Sequence, residues 1–132
     1  KFYVYCPGPC GRNPSMEVQG TFGRGDRIPT AWARNNHENG FVRWTLVKAS
    51  DYNSHTAHDR AAFYFGCWSE NVDRVDCKTV YNPANSTDHA CGSDRTGIAY
   101  QTILQIPSIY PDGEYVLGWT WFGGGDYTYF GE

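Results

Sequence analysis

Glycine and proline interrupt this chain so often that no long helix fits into it. Between them lie short runs suited to a pleated sheet. There are 15 Gly and 7 Pro in 132 residues, and no apolar stripe recurs at helical spacing. Residues 41–47, 61–65 and 115–121 read as strands, and residues 98–106 form a fourth that Pro107 stops. The turn Pro111-Asp112-Gly113 opens the run at 115. Trp, Tyr, Val, Ile and Thr fill these runs, as a half-buried sheet requires. The polar stretch Ser50–Arg60 reads as a short helical turn or a loop. Strands separated by turn signals every 8–12 residues or so predict an all-β, antiparallel β-sandwich. The expected organisation is one domain over residues 1–132, a length at which a single core suffices. Aromatic residues make up 17% of the chain, enough to fill a core about 10 Å thick between two sheets.

Charge and hydropathy exclude several classes. Eleven Lys and Arg against 14 Asp and Glu leave a net charge of −3, with no basic footprint for nucleic acid. No run approaches the ~18 apolar residues of a membrane span. The first residue is Lys1 and Met16 is the only methionine, so a processed, secreted chain is expected. The five cysteines, Cys6, Cys10, Cys67, Cys77 and Cys91, suggest an oxidising compartment and a disulfide-stabilised domain. Their connectivity does not follow from sequence; the short separation of Cys67 and Cys77 makes them one candidate pair, and one thiol is left over. The sequon Asn85-Ser86-Thr87 makes Asn85 a candidate glycosylation site. Near the C-terminal end, Tyr127-Thr128-Tyr129-Phe130 alternates like a strand just beginning; either the end is a truncation or its partner strand comes from elsewhere, the second reading implying strand exchange or a homo-oligomer.

Few residues carry evident chemistry. His55 and His58 are the metal candidates, since a three-residue spacing puts both on one face if the segment is helical. Imidazoles holding copper or zinc need a third donor, and hydrogen-bonded loop histidines are the plainer reading. His37, in Asn35-Asn36-His37, fits a turn before the strand at 41. The aspartates are scattered and single out no acid–base pair. Arg24-Gly25-Asp26 spells an adhesion tripeptide but reads first as a charged loop. Trp32, Trp68 and Tyr110 lie outside the strand interiors and are candidates for stacking on sugar rings; the alternative is that they cover hydrophobic surface.

The order of several motifs resembles that of the lytic polysaccharide monooxygenases and their chitin-binding relatives. The motifs are Asn35-Asn36-His37, the strand Phe41–Val47 with Trp44 and Leu46, then His58-Asp59-Arg60-Ala61-Ala62-Phe63-Tyr64-Phe65, Cys67-Trp68, and Ile106-Pro107 through Pro111-Asp112-Gly113-Glu114-Tyr115-Val116-Leu117-Gly118-Trp119. The resemblance covers about residues 32–122. The resemblance implies an immunoglobulin-like sandwich, secretion and association with a polysaccharide. In that family copper is held by an N-terminal histidine together with a second histidine, here His58 by position. Residue 1 is Lys, whose protonated amine offers no imidazole, so His55 or His37 would have to substitute. The expectation is therefore a non-catalytic structural or carbohydrate-associated glycoprotein without cofactor. A copper-dependent polysaccharide monooxygenase is the alternative.

Overall fold

The computed structural model describes residues 17–33, 40–68, 73–76 and 98–123. In chain order these form β1 (Arg27–Ala33), β2 (Gly40–Lys48), a 3-10 turn (Ala49–Asp51), α1 (His55–Arg60), β3 (Ala62–Cys67), β4 (Asp73–Asp76), β5 (Ile98–Gln105) and β6 (Tyr115–Gly123). Two antiparallel three-stranded sheets result, ordered β1-β5-β4 and β3-β2-β6. The all-β expectation holds: among the described residues helix is confined to the short segment read as polar turn or loop. Ser54 caps α1 by accepting a hydrogen bond at Oγ from the Ala57 amide, 3.2 Å away. Among the described residues no helix is long and apolar enough to cross a membrane.

The four strands expected from sequence are β2, β3, β5 and β6. Sequence reading passed over β1 and β4. β1 contains Pro29, which cannot donate to a ladder, and is tolerated because β1 is an edge strand among the described residues. β4 is four residues long and mostly charged, so it shows little apolar alternation.

Period-two alternation decides what each strand contributes inward. Ile28 and Trp32 from β1, Tyr100 and Leu104 from β5, and Val42, Trp44 and Leu46 from β2 are buried. One cluster joins Trp32, Tyr100 and Leu104 of the first sheet to Val42 and Trp44 of the second, so the sheets share an interior. Ile28, Leu46 and Ile106 form a second cluster, and Phe63 packs against both. Phe63 can do so because the β2–β3 register shifts between Trp44 and Thr45: Trp44 faces Tyr64 but Thr45 faces Ala62, leaving Phe63 as the extra residue of a bulge. Among the described residues, side-chain hydrogen bonds also link the two sheets. Thr102 Oγ1 on β5 donates to the Tyr64 hydroxyl on β3 at 3.0 Å, and Trp32 Nε1 donates to the Trp68 carbonyl at 3.1 Å.

Gly40 begins β2 with φ +113°, and a Cβ there would meet the Phe122 carbonyl and the Trp121 indole. Only glycine combines that φ with so close an approach of two strands. Gly40→Ala is expected to destabilise the protein by about 2 kcal/mol or more, read as a lower urea midpoint at unchanged m-value.

Candidate functional site

His58 sits on the buried side of α1 with 3% of its surface exposed. The helix packs on the outer face of the β3-β2-β6 sheet, where Thr45 of β2 is also buried. His58 Nε2 lies 2.7 Å from the Tyr52 carbonyl oxygen, and Nδ1 lies 2.6 Å from Thr45 Oγ1. A carbonyl only accepts, so Nε2 donates to it, while Nδ1 is hydrogen-bonded to the Thr45 hydroxyl. Gly118 of β6, paired with Thr45, makes room for the ring: a Cβ there would stand 2.8 Å from His58 Nδ1 and clash with Thr45 Oγ1. Both ring nitrogens are thus committed to protein partners. His55, at the first position of α1, is exposed, so the two histidines share no open face. As placed, these residues do not fit a copper centre, because His58 turns no free lone pair outward. Among the described residues no three His, Cys, Asp or Glu side chains converge. His37 lies outside the described residues.

The other sequence candidates separate in space. Trp32 and Trp68 are core residues, so of the two readings open to them burial against hydrophobic surface is the one that fits. Trp32 stacks on Tyr100 at 6.3 Å and Trp68 on Trp121 at 4.7 Å. The physical reason is volume: two sheets joined by short side chains would leave a gap that indoles fill. Tyr110 is half-buried and meets Tyr115 edge-on at 5.4 Å. Burial first, and the neighbouring Tyr115 phenol second, raise its pKa above the ordinary 10.0. The adhesion tripeptide is occupied by its own fold. Arg24 pairs with Asp112 at 2.6 Å, and Asp26 Oδ2 accepts the Gly23 amide at 2.7 Å. Cys67 is exposed at the end of β3, while Cys77, its candidate partner, and the sequon residue Asn85 lie outside the described residues.

A different aromatic group occupies the surface. Phe65 on β3, Phe41 on β2 and Phe122 on β6 stand side by side across the outer face of the second sheet. Phe41 and Phe122 stack at 4.7 Å with planes 15° apart, and Phe41 meets Phe65 at 6.1 Å, tilted by 49°. Phe41 is 43% and Phe65 59% exposed. Arg43, two residues along β2, lays its guanidinium 5.0 Å from the Phe122 ring centre and pairs with Asp59 of α1 at 2.7 Å. The result is a continuous line from carboxylate through guanidinium to three rings, spanning three strands. Such a row offers contiguous apolar area on the outer face of a sheet. Sequence reading did not single out these phenylalanines. The signal was present: in Phe41-Val42-Arg43-Trp44 the arginine shares a face with Phe41, so that face turns outward.

His58→Ala would leave a cavity and strand the buried Thr45 hydroxyl, so a loss of about 2–4 kcal/mol is expected in urea unfolding. Adding Thr45→Val should restore part of it, because the stranded hydroxyl is gone; strict additivity of the two losses would contradict this account. No protein-family model, no curated protein and no solved structure matches this chain.

Proposed function

We propose that this chain is a non-catalytic, polysaccharide-associated module of a secreted glycoprotein, built as an immunoglobulin-like sandwich. The observation that carries the reading is the row of exposed Phe65 and Phe41 with half-buried Phe122 on one sheet face. Pyranose rings carry apolar C–H faces beneath their hydroxyls. An aromatic row about 10 Å across, two strand spacings, offers matching apolar area for a sugar chain lying on the sheet. The motif order shared with polysaccharide monooxygenases and their chitin-binding relatives, the sequon at Asn85 and the cysteine content agree with it. The hydrogen-bonded state of His58 favours the non-catalytic form over copper chemistry.

Self-assembly through β6 belongs to the same reading. β6 carries no charge and no proline over nine residues, and Leu117 and Trp119 on its inward side are exposed. Among the described residues its second edge pairs with no strand. Charge, proline and shortness are what keep sheet edges from pairing; β1 has Pro29 and Arg27, β4 is short and charged, and β6 has none of these.

Phe41→Ala combined with Phe65→Ala is expected to weaken adsorption to insoluble chitin or cellulose at least tenfold, at roughly 1–2 kcal/mol per ring, without loss of fold by circular dichroism. Adsorption unchanged by this pair would remove the row from the function. Native mass spectrometry should find dimers or larger species that Thr120→Lys, a charge placed on β6, reduces; a strictly monomeric wild type would refute assembly through this edge.

A further inference from the structure

Arg43 is the only charged residue among the outer-face positions of β2, β3 and β6. Its side chain is 14% exposed, pressed against the Phe122 ring, while that of its partner Asp59 is 65% exposed. An unpaired guanidinium beside an apolar row would attract carboxylated or sulfated chains. Here the nearest anion is supplied by the protein itself, held by α1 at 2.7 Å from Arg43 Nη1. A polyanion approaching the row would meet Asp59 before Arg43, on a chain whose net charge is already −3. The surface left for a ligand is three phenyl rings flanked by a cancelled charge.

We infer that Asp59 determines the charge class of the ligand: by neutralising Arg43 it fits the aromatic row to an uncharged polysaccharide and turns away polyuronates and sulfated glycans. This rests on the polysaccharide reading given above and adds a specificity residue to it. Asp59 is a positioning residue here, acting through Arg43 and through its own exposed carboxylate.

The test compares two ligands of one backbone, cellulose and carboxymethylated cellulose, immobilised and titrated with the full chain at low and high salt. The wild-type protein should prefer unmodified cellulose, with little change on adding salt. Asp59→Asn should raise the ratio of carboxymethylated-cellulose affinity to cellulose affinity threefold or more at low salt. High salt should erase that gain, because it is a screened surface interaction. Arg43→Gln added to Asp59→Asn should abolish the gain, which separates a charge effect from a general loosening of α1. A wild-type preference for the carboxymethylated chain overturns the inference without any variant. So does a folded Asp59→Asn protein whose preference is unchanged; if Phe41→Ala with Phe65→Ala still abolishes binding, the aromatic row then stands without the specificity role. Failure of the wild type to bind either ligand defeats the polysaccharide reading itself, and the inference falls with it.

Discussion

The structure depends on β2 being buried from both sides. On its inner face Val42, Trp44 and Leu46 meet the other sheet; on its outer face Thr45 and Val47 are covered as well. A strand enclosed this way cannot slip by one residue, because each slip would exchange one buried set for another of different size and polarity. The two flanking strands inherit their register from it. β6 pairs with β2 over nine consecutive residues, and β3 follows until its bulge turns Phe63 inward.

The outer face of this strand is divided between two uses. Toward its C-terminal end, α1 closes over Thr45, and His58 is held by two hydrogen bonds above the gap left by Gly118. Toward its N-terminal end α1 reaches only as far as Arg43, and Phe41 and Phe65 stand in the open beside the half-buried Phe122. Asp59 joins the halves: it belongs to the helix and pairs with the arginine at the edge of the aromatic row. The segment that buries a histidine therefore also sets the charge beside the proposed binding face. A histidine with both nitrogens satisfied serves the docking of that helix, and the surface chemistry passes to the phenylalanines.

Much of the fold was legible because it rests on local periodicity. The strand at 41–47 and the runs at 98–106 and 115–121 carry strong β-formers between unmistakable turn residues, and each is a strand. β1 and β4 were not legible, since a proline in one and charges in the other weaken the pattern that edge strands can do without. The candidate site was read less well. Trp32 and Trp68 look alike in sequence whether they stack on sugar or on each other; the interior between the sheets is what claims them.

By itself the order of residues determined that this chain makes short strands, where most of them lie, and that a polar segment interrupts them near Ser54. Which aromatic rings are buried and which are offered to solvent was decided only by tertiary structure. Alternation along a strand defines two faces but does not say which one another layer will cover; that depends on α1 folding back over half of one sheet and on the second sheet closing over the other side.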